Sequence, residues 1–146
     1  MEKQNMESRV WQRVLSGPGE SSEDLRPLMH AASENAMDYW HLLCRATGRQ
    51  KEALQQLYDR ARVNVNCLRG LQGLRFGSAG KLTPLPPSGD PMRKTLERCY
   101  HRTRRAMTEY TARSAEPEFG AVFLVMAGRE RDNAALIAEL LGMTEK

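Results

Sequence analysis

The sequence has few aromatic residues, no long apolar run and no signal-peptide-like segment. The first shortage bears on how the core is filled, and the other two argue against a membrane-spanning and a secreted protein. Aromatic residues make up 6% of the 146 residues, so Leu, Ala and the eight Met side chains must fill the core. No apolar run approaches the roughly 20 residues that span a bilayer, and the polar start of the chain lacks an apolar signal segment. We therefore expect a cytoplasmic protein.

Cysteine and histidine are also scarce, with three residues of each kind. Cys44, Cys67 and Cys99 form no CxxC pair, and no Cys/His cluster of the zinc-binding type is present. Reduced thiols are the simplest expectation for a protein of a reducing compartment.

What the chain does contain is the pattern of a single helical domain. Its length suits one core, and 40% apolar with 27% charged residues is typical of a globular protein. Helical periodicity, Ser or Asp at helix starts and Gly at helix ends divide it into four long helices. The predicted helices run approximately from Ser21 to Arg45, from Gln50 to Leu74, from Asp90 to Ser114 and from Glu116 to Gly142.

Two further segments complete the predicted organisation. Residues 7–15 can form a short amphipathic helix within an N-terminal arm of residues 1–20, and residues 21–146 form the main body. Residues 77–89 are predicted to be a long loop, because Pro84, Pro86 and Pro87 exclude helix and central strand. Because the connection at Gly48 is short, the first two helices are expected to pair antiparallel. The predicted fold is therefore all-α, an antiparallel four-helix bundle.

Each predicted helix has an apolar stripe with small or polar residues at its centre. On the first helix the stripe is predicted to include Trp40, and on the third Tyr100. The central residues are Ser33 on the first helix, Ala61 and Asn64 on the second, Thr103 on the third, and Glu130 and Asn133 on the fourth. One position alternates with a pair at i, i+3, which is the arrangement that four-helix bundles use to hold two metal ions.

With this pattern, the sequence resembles the ferritin-like, rubrerythrin-type four-helix-bundle family, in particular its small bacterial members. The resemblance covers most of the chain and rests on short segments that are characteristic only as a set. These are Val10–Val14, Cys67–Gly70, Arg98–Tyr100, Glu109–Ser114, Glu116–Gly120 and Arg129–Asn133.

The resemblance implies a dinuclear metal site, and the chain departs from the family at most of its ligands. Ser33 and Thr103 stand where the family has Glu, and Ala61 and Asn64 where it has Glu-x-x-His. Glu130 is retained, whereas Asn133 replaces the last His. Because such a site needs several carboxylates and imidazoles, we expect no cofactor and no catalysis. Iron or manganese is expected only if this interpretation of ligand loss is wrong.

The remaining polar residues are expected to form a hydrogen-bonded layer around Glu130. Its predicted partners are Asn64, Asn133, Thr103 and either Tyr100 or a neighbouring Arg. Burial favours the protonated form of this carboxyl group. The alternative is that the same residues line a water-filled remnant of the site.

The surface charge is compatible with more than one kind of binding partner. The net charge is +4, and Lys94, Arg98, Arg102 and Arg105 can share one face of the third helix. This basic face can attract nucleic acid or an acidic protein, or it can be a solvated face with acids as neighbours.

Three classes of function follow from these patterns. The first is a metal-free bundle with a structural or protein-interaction role, with self-association to a homodimer through a helix face. The second is a metal-binding protein or oxidoreductase with a residual or displaced site that uses Glu130, Glu34 or Asp38, together with His41. The third is a nucleic-acid-associated protein that uses the basic face.

Overall fold

The structure, a computed structural model, describes residues 24–144, and within that range it consists of four α-helices without strands. They are α1, Arg26–Arg45; α2, Gly48–Phe76; α3, Met92–Arg113; and α4, Gly120–Thr144. The predicted all-α fold with four long helices is confirmed for this part of the chain. The predicted N-terminal arm, its short helix and the helix start at residues 21–23 lie outside the described residues.

Two helix starts differ from those predicted, and at both the acidic residue that is predicted to begin the helix pairs with arginine side chains. Asp90 was predicted to cap α3, but Pro91 is the capping residue and the Asp90 carboxylate accepts a hydrogen bond of 2.8 Å from Arg98. Glu116 was predicted to begin α4, but it forms ion pairs with Arg75 and Arg113. Charge-assisted hydrogen bonds are stronger than neutral ones, which favours the pairing of these carboxylates with guanidinium groups over the capping of a helix.

Two glycines allow the chain to turn at helix ends. Gly77 ends α2 in the left-handed conformation, with φ of 79°, and its N–H donates to the Gly73 carbonyl. Gly120 begins α4 so close to the end of α3 that a Cβ atom there would overlap the carbonyl oxygen of Ser114. The connection between α3 and α4 is therefore tight, whereas residues 77–91 connect α2 to α3 without helix or strand.

The helices pack so that each has two main neighbours. Helix α1 packs against α2 and α3, and α4 packs against the same two helices. None of these helices, within residues 24–144, has the length and apolar character that crossing a membrane requires.

The buried apolar residues form two clusters, one towards each end of the bundle. The first contains Tyr39, Leu42, Leu54, Leu57, Leu96, Ile137 and Leu140 among others. The second contains Leu25, Met29, Leu68, Leu71, Tyr110, Phe123 and Met126 among others. Every helix also has buried polar residues near the place where the two clusters meet.

The buried faces of α1 and α3 differ from those predicted. Trp40, predicted to be in the core, is 45% exposed, whereas Tyr39 is fully buried. On α3, Tyr100 is only half-buried and Cys99 is fully buried instead. On α1 the shift has a physical reason, because Asn35 and Asp38 find polar partners on α3 and can therefore face inward.

Candidate functional site

A layer of buried polar residues lies near the boundary between the two apolar clusters, which share Ala32 and Leu82 as partly buried neighbours. Its members, all less than 7% exposed, are Asn35 and Asp38 on α1, Asn64 on α2, Thr103 on α3, and Glu130 and Asn133 on α4. Their hydrogen bonds divide them into two networks, one between α2 and α4 and the other between α1 and α3.

The network between α2 and α4 is centred on the carboxyl group of Glu130. The Asn64 side-chain amide donates to Glu130 Oε2 at 2.7 Å and to the Met126 carbonyl at 3.2 Å. The Asn64 carbonyl oxygen accepts a hydrogen bond of 2.9 Å from Arg129. Asn64 is therefore fixed at both ends of its amide, and the predicted contact between Asn64 and Glu130 is present.

The pKa of Glu130 reflects this environment. Burial raises the pKa of its carboxyl group from 4.5 to about 7, while the hydrogen bond from Asn64 acts in the opposite direction. At neutral pH a large fraction of the molecules therefore holds a proton on Glu130. This direction agrees with the expectation from burial.

Asn133 belongs to the same pair of helices, but its hydrogen bonds go to other groups. Its amide nitrogen donates to the Leu57 carbonyl at 3.3 Å, and its amide oxygen accepts from Arg60 at 3.1 Å. It therefore links α4 to α2 beside Glu130 and does not serve as the predicted partner of that carboxyl group.

The network between α1 and α3 is centred on Thr103 and Arg102. Thr103 Oγ1 accepts from the Asn35 amide at 3.1 Å and shares a hydrogen bond of 3.3 Å with the Tyr39 hydroxyl. Arg102 donates to Asn35 Oδ1 at 3.1 Å and to Asp38 Oδ2 at 2.7 Å. Thr103 therefore bonds to α1 and not to Glu130.

Arginine side chains and two buried ionisable groups surround this network. Arg98 also lies 3.9 Å from Asp38 Oδ2, so two guanidinium groups face one buried carboxylate. Burial raises the pKa of Tyr39 and that of the Cys99 thiol, so both remain protonated at neutral pH. The network therefore contains no activated thiolate or phenolate.

The structure brings together only some of the residues that the sequence singled out. Ser33 is half-buried and lines an outer groove beside Trp40 and Tyr58, so it does not face the polar layer. Ala61 is buried within an apolar cluster. Tyr100, a predicted partner of Glu130, accepts a hydrogen bond from Arg104 instead.

Sequence reasoning missed Asn35 and named Asp38 only as a candidate of a displaced metal site, whereas both are buried polar residues of α1. Their spacing of i, i+3 is the same as that of Glu130 and Asn133, and this was the signal that could have identified them. Glu34, the alternative to Ser33, has a side chain that is 47% exposed and lies 3.6 Å from Arg102.

The predicted basic face on α3 is partly neutralised. Arg98 pairs with Asp90 and Asp38, and Arg102 pairs with Asp38 and Glu34. Lys94 and Arg105 are exposed. The centre of this face is therefore bound to acids of α1 and of the preceding loop.

The donor set of the layer differs from that of a metal centre. Within the described residues, no group of three or more His, Cys, Asp or Glu side chains is placed to hold a metal ion. The two buried carboxyl groups, those of Glu130 and Asp38, receive hydrogen bonds from Asn64 and Arg102.

The class defined by these observations is an all-helical bundle with a hydrogen-bonded polar layer in its interior. No protein-family model, curated protein or solved structure matches the chain.

Two buried tyrosines give a matched test of the hydrogen bonds in this interior. Within the described residues the Tyr110 hydroxyl is buried without a hydrogen-bond partner, whereas the Tyr39 hydroxyl bonds to Thr103. We expect Tyr39→Phe to lower the free energy of unfolding by about 1 kcal/mol, and Tyr110→Phe to leave it unchanged or raise it. Urea denaturation measures both, and an equal loss in the two variants would contradict the assignment.

Proposed function

We propose that this protein is a metal-free, non-catalytic bundle of the ferritin-like type with a structural or protein-interaction role. One observation carries the proposal. The buried carboxyl groups that a metal site would need are bound by amide and guanidinium groups of facing helices. Positively charged Arg102 binds Asp38, and the amide held by Arg129 binds Glu130.

The helix packing supports the ferritin-like part of the proposal. Asn35 bonds to Thr103, whereas Arg45, further along α1, bonds to Asp90 just before α3. As the residue number increases along α1, the residue number of its partner decreases from Thr103 to Asp90. This is the order of contacts in an antiparallel pair. Helices α2 and α3 are not main neighbours, and a long loop joins them. Bundles with one long crossover connection include the ferritin-like folds.

The charge balance supports the loss of the metal site. A dinuclear iron or manganese centre needs several carboxylates, together with imidazoles. Of the six positions that the resemblance assigns to ligands, only Glu130 is acidic, and none is a histidine. A single carboxyl group whose pKa is raised to about 7 is a weak ligand for two divalent cations.

The interaction role has candidate surfaces on two helices. Leu124 and Val125 on α4 are 60% and 55% exposed, and Leu74 near the end of α2 is 75% exposed. Exposed apolar side chains of this size are common at protein–protein contacts when they are adjacent. The proposed homodimer would use such a helix face.

The alternatives have unequal support. A nucleic-acid role is weakened because Arg98 and Arg102 are bound to acids. The displaced metal site has one observation in its favour, since Asp38 and His41 line the same small cavity.

Metal analysis of protein expressed with added iron and manganese tests the proposal. We expect substoichiometric metal in the wild-type chain and the same amount in Glu130→Gln, because Glu130 is already engaged by Asn64. Two metal ions per chain that are lost in Glu130→Gln would refute it. Light scattering on the same sample reports whether a dimer forms.

A further inference from the structure

A groove runs along the outer side of the seam between α1 and α2. Its volume is about 220 Å³, and its apolar lining comes from both helices: Ala36, Met37 and Trp40 of α1, and Tyr58 and Val65 of α2. Ala36 and Val65 are buried, whereas Trp40 is 45% exposed. The groove therefore combines buried aliphatic side chains with an exposed indole ring.

The two aromatic rings of the groove give it the character of a binding surface. The ring centroids of Trp40 and Tyr58 are 5.2 Å apart. The Arg62 guanidinium group lies 5.6 Å from the centre of the Tyr58 ring, and Arg62 is the one charged residue among the described residues that line the groove. Concave apolar surfaces with aromatic walls and few polar groups are typical of sites that bind an amphipathic helix.

The predicted short helix of the N-terminal arm has the complementary pattern. A helix over residues 7–15 has its two arginines on one face and its apolar side chains on the other, and these are Val10, Trp11, Val14 and Leu15. Such a helix is about 13 Å long, and the stretch of α1 from Ser33 to Trp40 is about 10 Å long. Cavities of about 150 Å³ accept a benzene ring, so the groove has room for the larger ring of Trp11.

The described chain begins at the same seam between α1 and α2. The Leu25 N–H donates to Gln72 Oε1 at 3.0 Å, and Gln72 Nε2 donates to Asp24 Oδ1 at 3.4 Å. The start of α1 is thus fixed against α2. Trp40 lies about 22 Å further along α1, and residues 16–23 can span at most about 29 Å when extended. Residues 7–15 can therefore reach every part of the groove.

The short tether favours the chain's own arm over a segment of a second molecule. A binding segment on a short linker has an effective concentration of about 1 mM, which a separate molecule must match in order to compete. The charges also agree. Glu7 precedes Trp11 by one helical turn and lies on the same face, so it is suitably placed to pair with Arg62 at the groove.

We propose that the groove between α1 and α2 is the docking site of the N-terminal arm, with the Trp11 ring against Trp40 and Tyr58. The apolar face of residues 7–15 covers the exposed indole ring of Trp40, and Glu7 pairs with Arg62. The contact lies within one chain and does not involve the polar layer around Glu130.

The two tryptophans of the chain, Trp11 and Trp40, give a direct test in the full-length protein. Each contributes one indole N–H signal to the NMR spectrum, and Trp11→Phe assigns them. We expect nuclear Overhauser contacts between the Trp11 and Tyr58 rings. In Tyr58→Ala we expect these contacts to be lost and the relaxation of the Trp11 signal by a soluble gadolinium chelate to rise at least about twofold, because less apolar area holds the arm.

Tyr100→Ala is the matched control for Tyr58→Ala. Tyr100 on α3 is half-buried like Tyr58, packs against the same apolar cluster, and has the Arg104 guanidinium group 5.8 Å from its ring centre. We expect this variant to leave the Trp11 signal as in the wild-type chain. Ser33→Arg is a second groove variant that places a long charged side chain in the groove, and it should act as Tyr58→Ala does. Circular dichroism checks that every variant is folded.

Three results would overturn the proposal. The first is a Trp11 indole as accessible to the chelate as that of a free peptide of residues 7–15. The second is equal accessibility in the folded groove variants and in Tyr100→Ala, which would place the arm elsewhere. The third is protection of Trp11 that grows with protein concentration together with a dimer mass by light scattering, which would make a second copy the occupant. None of these depends on Glu130 or on metal content, so the proposed function is tested independently.

Discussion

Glu130→Gln is expected to raise the free energy of unfolding by about 2–3 kcal/mol at pH 8 and by less than about 1 kcal/mol at pH 5. The reason is the proton on Glu130. Burial raises the pKa of this carboxyl group to about 7 in the folded chain, against 4.5 for the ordinary side chain. Between these two values the folded state retains a proton that the unfolded state releases.

The raised pKa of Glu130 determines how its contribution to stability changes with pH. The stability that this group contributes is fully present below about pH 4.5, declines as the pH rises towards 7, and is constant above that value. A Gln side chain carries no charge at any pH, and its carbonyl oxygen can accept the hydrogen bond that Asn64 now donates to Glu130. The variant therefore lacks the cost of ionising a buried carboxyl group.

Chemical denaturation at pH 5 and pH 8 measures the effect, with Glu139→Gln as the control. Glu139 is an exposed residue of the same helix, so its replacement should change stability by less than about 0.5 kcal/mol at either pH. A loss of stability at pH 8 in Glu130→Gln would show that the ionised carboxylate has a strong cationic partner. That result would also weaken the metal-free interpretation.

Arg102→Met is expected to lower the free energy of unfolding by about 2–3 kcal/mol. Removing one partner of a buried ion pair generally costs about 3–5 kcal/mol, because the other charge stays buried without compensation. The side chain of Asp38 is only 3% exposed and bonds to Arg102 at 2.7 Å. We expect less than the full cost because the Arg102 side chain is 23% exposed and Arg98 stays 3.9 Å from Asp38.

The matched control for Arg102→Met is Arg105→Met, at an exposed position of the same helix. We expect it to change stability by less than about 0.5 kcal/mol. A double variant with Asp38→Leu should recover most of the loss, because it removes the buried carboxylate together with its partner. If Arg102→Met and Arg105→Met are equally stable, Asp38 does not depend on Arg102.

The four helices were predictable because their signals are local. Apolar periodicity, Pro84 to Pro87 in the long loop and Gly77 at the end of α2 all act within a few residues of the feature they determine. The starts of α3 and α4 were not predictable in the same way. Asp90 and Glu116 bind Arg98 and Arg75, and the second of these partners lies on another helix.

The buried face of α1 shows why part of the site could not be predicted. Apolar periodicity placed Trp40 in the core, yet Tyr39 is buried there together with Asn35 and Asp38. Their burial depends on Thr103 and Arg102, which are on α3 and distant in the sequence. Apolar patterning treats Asn and Asp as surface residues and cannot detect that remote partners compensate them.

The contact between Asn64 and Glu130 was predictable because both residues interrupt otherwise apolar stripes. The partners of Asn133 were not, because the sequence gives no sign that Arg60 and the Leu57 carbonyl lie opposite it. Helical spacing thus identified which residues of α2 and α4 face inward. Which of them pair with each other depends on how far one helix is shifted along its axis relative to the other.

The position of the polar residues between two apolar clusters has a consequence for the alignment of the helices. Sliding α4 along α2 by one turn, about 5.4 Å, would separate Glu130 from Asn64 and break the hydrogen bond between them. An entirely apolar interior would tolerate such slippage far better, since one aliphatic contact can replace another. The buried hydrogen bonds therefore select one vertical alignment of the bundle among several that hydrophobic packing alone would permit.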